Sequence, residues 1–231
     1  GCAIPQLDVG VNRKKLYRKP CESQGFLLKR GGGMDDLLFS ARQFESMFDI
    51  EYRFKVARKK KIKEIVLRFS NTQFHHLVGL HKLSDLDYFM KTSKSKIFKE
   101  ILSTKTTIEH AQVSRHYYEI KNRVHRFGYV ITEIFERTEF IYIFDGSKCK
   151  GSKIKADFVI KYVSNDGGTS FMFLNRCNSE LNDYSCTSFF MYENRDYTFN
   201  QEQYKFITIV KVRQSTGETS VLLDRYKMER Q

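Results

Sequence analysis

Proline is nearly absent from this chain, with two in 231 residues, which excludes a proline-rich linker. No apolar run approaches the roughly 18 residues of a membrane span. The N-terminus lacks the apolar core of a signal peptide, so the expectation is a soluble, cytoplasmic protein with no membrane partner. Cysteine is sparse and odd in number: Cys2, Cys21, Cys149, Cys177 and Cys186, with no C-x-x-C pair. That count argues against a disulfide framework and against a zinc ribbon. Cys177 and Cys186 are near enough in sequence to pair, but reduced, buried thiols suit a cytosolic chain better. G-x-G-x-x-G, H-E-x-x-H, G-x-S-x-G and an EF-hand loop are all missing, so metal, nucleotide and acyl-transfer readings lose most of their support. Gly146 to Lys153 comes close to a phosphate loop, but Ser152-Lys153 stands where Lys-Ser/Thr is needed. A strand pattern follows it instead of a helix, so the segment reads as a hairpin loop.

What the chain has in abundance is positive charge and aromatic rings. Lys and Arg number 40 against 27 Asp and Glu, a net charge of +13, with 20 Phe and 13 Tyr. The rings argue for a packed core and the charge for a polyanionic partner. Residues 1–33 carry seven of the cations against Asp8 and Glu22, with weak periodicity. The segment closes on Lys29-Arg30-Gly31-Gly32-Gly33 before Met34, which resembles a translated ribosome-binding site. Two readings follow: upstream sequence outside the native domain, with Met34 as the start, or a basic arm with a glycine hinge. The expected organisation is an extension over 1–33 and one domain over 34–231.

Within 34–231, Leu37, Leu38, Ala41, Phe44, Met47 and Phe48 share a helical face, behind Asp35 and Asp36 in a first turn. Ile50, Tyr52, Phe54 and Val56 alternate as a strand, and Ile65, Leu67 and Phe69 as a second. Together they predict a hairpin with the basic tip Arg58-Lys59-Lys60-Lys61. Ser70 or Asn71 suits a helix cap, and Gly79 a helix end or a close approach. Residues 93–137 read as helical, with Gly128 a candidate kink. From 139 the pattern turns to strands at 140–144, 153–163, 169–174, 186–192, 206–212 and 219–223, with a short helix at 200–204. Helices first and an antiparallel sheet afterwards predict an α+β fold.

The densest chemistry is His75, His76, His81 and Lys82. Imidazoles titrate near neutrality and can give or take protons. On a continuous helix, position 81 shares no face with 75 or 76, so no chelating pair is expected and no metal is called for. Cleavage of RNA by its own 2′-hydroxyl needs a base, an acid and a cation for the phosphorane. Lys153, Lys155 and Lys161 share one face of the predicted strand and could supply the cation; an ordinary polar face is the alternative. Thr187-Ser188-Phe189-Phe190 could bring a hydroxyl to a sheet edge. Tyr117-Tyr118 and Phe189-Phe190 could stack bases or fill the core.

The stretch Phe74-His75-His76-Leu77-Val78-Gly79-Leu80-His81-Lys82-Leu83 resembles the F-x-H-L-x-G-L-H-K-L signature of phage-associated nuclease-like domains of the Barnase–EndoU–colicin–RelE superfamily, in particular their fourth subgroup. The similarity runs over much of 35–225 and includes Lys155-Ala156-Asp157-Phe158 and Ser188-Phe189-Phe190. It implies helices packed on an antiparallel sheet, with 93–137 as a helical insertion. It also implies metal-independent, cofactor-free RNase chemistry in phages or mobile elements. His76 would be general base or acid and His81 its partner or orienting group. Ser188 and Lys155 or Lys161 would contact phosphate, with Lys82 a further nucleic-acid contact, and His75 lies outside the pattern. An immunity or antitoxin protein is a possible partner besides RNA. The competing readings are a non-catalytic nucleic-acid-binding module and a protein-interaction module of the same fold.

Overall fold

The computed structural model describes residues 35–177 and 182–228. The readings of 1–33, including Cys2 and Cys21, lie outside the described residues. Helix α1 (Asp36–Glu45) starts at Asp35, whose Oδ1 accepts from the amides of Leu37 and Leu38 at 2.8 and 3.1 Å. It buries Leu37, Ala41 and Phe44, the i, i+4, i+7 stripe expected of an amphipathic helix. Strands β1 (Ile50–Arg58) and β2 (Lys61–Leu67) then pair antiparallel through a turn at Lys59-Lys60.

A block of short helices follows: α2 (Asn71–Leu77), α3 (Asp87–Lys91), α4 (Lys94–Leu102), α5 (Ile108–Gln112), α6 (Lys121–Val130) and α7 (Glu133–Glu136). Their apolar stripes enter the main core: Ile97, Phe98 and Ile101 from α4, and Val124, Phe127 and Val130 from α6. The free oxygen of the Asp35 carboxylate accepts from the amide of Ile108 at 2.8 Å, so one side chain anchors the first turns of both α1 and α5. Gly128 lies within the continuous helix α6. It lets the helix meet α1, where an added Cβ would lie 2.7 Å from the Phe39 ring and 3.0 Å from the Ser40 Cα.

The remaining strands are β3 (Phe140–Ile143), β4 (Phe158–Val163), β5 (Thr169–Arg176), β6 (Asp183–Met191), β7 (Glu202–Arg213) and β8 (Thr219–Asp224), with α8 (Arg225–Met228) after them. The fold is α+β, but among the described residues all eight strands form one sheet in the order β1-β2-β6-β5-β4-β3-β7-β8. It is mixed, because β2 runs parallel to β6 through Val66↔Asp183 and Leu67↔Tyr184. Long β7 also pairs with β1, so seven strands close into a ring. One face carries the main core against α1, α2, α4 and α6. The other carries a smaller cluster of Phe144, Cys149, Val159, Phe171 and Phe173.

Two local expectations change. The strand predicted from 153 starts at Phe158. Residues 153–157 keep the alternating exposure of an extended chain but lie outside the strand, although Asp157 already donates its amide to the Leu174 carbonyl and accepts from the Phe144 amide, both at 2.9 Å. The helix predicted at 200–204 is absent, because Asn200 takes φ +58° in a turn and β7 pairs with β3 from Glu202 onward. Cys177 and Cys186 are free thiols, the first exposed and the second buried.

Candidate functional site

The site is built around the end of α2. Ser70 caps the helix, its amide donating to the Gln73 side-chain oxygen at 3.3 Å. Gly79 then adopts φ +90°, a left-handed conformation that ends the helix. A single 3₁₀ turn, Leu80–Lys82, follows. The reversal changes the geometry expected of a five-residue spacing. His81 is folded back onto His76, and the two rings stack with centroids 3.9 Å apart and planes at 17°. Gly79 serves its second role as well. A Cβ there would sit 2.8 Å from Ile120 Cγ2 and 3.2 Å from a guanidinium nitrogen of Arg123.

The three motif histidines differ in environment. His75 is buried, its Nε2 at 2.9 Å from the Phe89 carbonyl, as expected of a structural residue. Burial holds the His81 pKa down to about 3, with His76 and Arg123 adding to the effect. Its Nδ1 is buried and has no hydrogen-bond partner among the described residues. The pKa of His76 is lowered too, first by burial and then by Lys94 and Arg123. The stacked pair is therefore uncharged at neutral pH, a state in which an imidazole can accept a proton.

Arg123 is the residue the sequence reading missed. It is only 6% exposed. Burial brings its pKa down to about 10, opposed by Tyr197, Glu193 and Glu119, so it remains cationic at neutral pH. Among the described residues its guanidinium has no hydrogen-bond or ion-pair partner. The face of Phe190 covers it, with the ring centroid 4.4 Å away. A buried charge without a carboxylate partner is costly unless an anion completes it. Arg123 lines a cleft of 320 Å³ with Lys82, Tyr118, Glu119, Phe190 and Tyr197 among the other walls. Lys82 Nζ lies 3.3 Å from Glu119, which also meets His116 Nδ1 at 3.1 Å. His76 and His81 are not lining residues of this cleft; Arg123 and Lys82 connect them to it.

The sequence did carry a signal for Arg123. It falls between Ile120 and Phe127 on the apolar face of α6, where a charge is out of place.

The other predicted residues lie elsewhere. Ser188 pairs with Phe173, on the sheet face that also carries Phe190 and Phe171, while Phe189 points to the main core and meets Phe127 at 5.3 Å. Lys161 is engaged by Asp196 at 2.5 Å. Lys155 is exposed in the extended segment before β4, so Lys153, Lys155 and Lys161 share no strand. Each aromatic doublet is divided: Tyr117 and Phe189 pack in the core, whereas Tyr118 and Phe190 reach the cleft. Among the described residues no group of three His, Cys, Asp or Glu side chains is placed to hold a metal, and no helix is long and apolar enough to cross a membrane.

No curated protein and no solved structure matches the chain. A family model does, over residues 36–226, and its description is phage-Barnase-EndoU-ColicinE5/D-RelE like nuclease4. The chain belongs to this family of nuclease-like domains.

Proposed function

We propose that this member of the phage-associated nuclease family is a metal-independent endoribonuclease of a phage or mobile element, acting in the cytoplasm. One observation carries the reading. A buried guanidinium, Arg123, with no hydrogen-bond or ion-pair partner among the described residues, faces a cleft near a stacked pair of neutral imidazoles. A phosphodiester supplies the anion this guanidinium lacks, and the charge it must stabilise grows as the phosphorane forms. His76 takes the 2′-hydroxyl proton as the 2′-oxygen bonds to phosphorus. The bond to the 5′-oxygen breaks, and that oxygen takes a proton from solvent, leaving 2′,3′-cyclic phosphate and 5′-hydroxyl ends. His81, with its pKa near 3, is a poor base. Its role is to hold the His76 ring by stacking. Lys82 lines the cleft with its ammonium 3.3 Å from Glu119, so it reaches phosphate only by exchanging that partner. Lys155 is available to a flanking phosphate, while Ser188 and Lys161 take no step, since the first is not among the residues lining the cleft and the second is paired with Asp196.

The test is cleavage of single-stranded and structured RNA by the purified chain in EDTA. Arg123→Gln is expected to lower kcat by about 10²–10³-fold, as loss of one oxyanion donor does. His76→Ala is expected to cost about 10²–10⁴-fold, the usual contribution of a general base. Full activity in both variants, or no cleavage of any RNA, would overturn the assignment. A non-catalytic RNA-binding module is the second reading, favoured by the absence of both stacked histidines from the cleft lining. It predicts salt-dependent binding without cleavage. An immunity protein that silences the enzyme would present a carboxylate to Arg123.

A further inference from the structure

We propose that the cleft beside Arg123 is a nucleotide subsite in which Tyr118 is the stacking platform for the base. The proposal rests on the reading of Arg123 as a phosphate site. It adds where the attached base goes and which residue grips it.

The cleft's three aromatic rings are not equivalent. Phe190 is covered by the Arg123 guanidinium at 4.4 Å and by the Tyr197 ring at 5.6 Å with planes at 30°. Tyr197 is covered by that ring and by the Arg195 guanidinium at 5.8 Å. Phe190 and Tyr197 therefore already have ring and cation partners and form one wall of the cleft. Tyr118 is 75% exposed and, among the described residues, meets no ring, cation or hydrogen-bond partner. Its fold position explains why. In the 3₁₀ turn Tyr117–Glu119, consecutive side chains diverge, and Tyr117 is the one packed on the core. An unpartnered ring at the wall of a charged cleft is what base stacking uses, because every base offers a π-face. A volume of 320 Å³ lies at the small end of the roughly 300–1,000 Å³ typical of small-ligand sites, which fits one nucleotide and not a helix. Asn122, Glu193 and Asn194 also line the cleft, and among the described residues their side chains have no hydrogen-bond partner. They leave polar groups free to meet base edges.

The experiment titrates the full chain with the four nucleoside 3′-monophosphates and, separately, with ribose 5-phosphate. It uses the unmodified chain and the variants Tyr118→Ala, Tyr118→Phe and Arg123→Gln. The nucleotides are expected to bind about tenfold more tightly than ribose 5-phosphate, the scale of one base–aromatic stack. Tyr118→Ala should erase that advantage without changing ribose 5-phosphate affinity, Tyr118→Phe should keep it, and Arg123→Gln should weaken every ligand. Equal affinity for nucleotides and ribose 5-phosphate, or an unchanged advantage in Tyr118→Ala, would overturn the subsite. The two readings fail separately. Tyr118-dependent nucleotide binding in a chain that cleaves no RNA keeps the subsite and removes the nuclease. RNA cleavage with an unchanged KM in Tyr118→Ala does the reverse.

Discussion

At the residue scale the site depends on Gly79. Its φ of +90° is a conformation that side chains with a Cβ rarely adopt, and the space for that Cβ is taken by Ile120. Gly79→Ala combines backbone strain with overlap, and each is worth about 1–3 kcal/mol. Its melting temperature is expected to fall by several degrees, and the His76–His81 stack should loosen with it. Thermal denaturation followed by circular dichroism checks the first effect and RNA cleavage the second. The buried histidines also set a pH dependence. His81 has a pKa near 3 in the fold against an ordinary value of 6.5, so the unfolded chain binds a proton that the folded chain excludes. This contribution is fully present above pH 6.5 and is lost as pH falls toward 3; His75 and His76 act in the same direction. Unfolding free energy should therefore begin to decline as pH falls through 6.5, before the ordinary glutamate value of 4.5 is reached. His81→Phe should flatten that part of the profile in urea melts. The histidine pair itself was legible as a motif, but its stacking was not. Five residues of spacing bring two rings together only because Gly79 reverses the chain, and no helical periodicity encodes that.

At the element scale the critical contact is α1 against α6, which carries Arg123. Ser40 is fully buried there, its hydroxyl donating to the Val124 carbonyl at 2.8 Å and accepting from the Gly128 amide at 3.1 Å. Gly128→Ala would push a methyl group into Phe39 and Ser40, and overpacking of this kind costs about 1–3 kcal/mol. Calorimetric melting is the measurement, with a lowered transition expected and an unchanged one excluding the close approach. The helical character of 93–137 was readable from its apolar stripes, because side-chain periodicity is a local property, whereas the five-residue α3 is too short to show one. The segment 200–204 was misread because Asn200 turns the chain and the long strand after it gains its stability from β1 and β3, far away in sequence. Arg123 went unnoticed for a related reason. A charge on an apolar face gains meaning only once Gly79 and Phe190 are seen beside it.

At the scale of the whole molecule the ring of strands has one narrow seam. The β1–β7 ladder spans most of both strands, whereas β2 and β6 meet through two residue pairs in parallel register. Short parallel pairing between distant segments is the least favourable join in such a sheet. The amides of Val66 and Arg68, which donate to Asn182 and Tyr184 across the seam, should exchange hydrogen faster than those of β1 facing β7. Hydrogen-exchange mass spectrometry would reveal the contrast, and uniform protection would contradict it. The sequence conveyed the α+β class and most strands, but not this closure. A parallel join between residues 66 and 183 leaves no mark on either segment's pattern of alternation.

The divided aromatic doublets have a consequence for how such a protein can change. In Tyr117-Tyr118 and Phe189-Phe190 the first ring supports the core and the second reaches the cleft. Exposed Tyr118 can be replaced with little burden on folding, since surface substitutions seldom alter stability by more than about 0.5 kcal/mol. Drift at this outward ring can retune what the cleft accepts while the inward ring keeps the scaffold intact. Diversification of ligand preference and preservation of the fold are thereby assigned to adjacent codons.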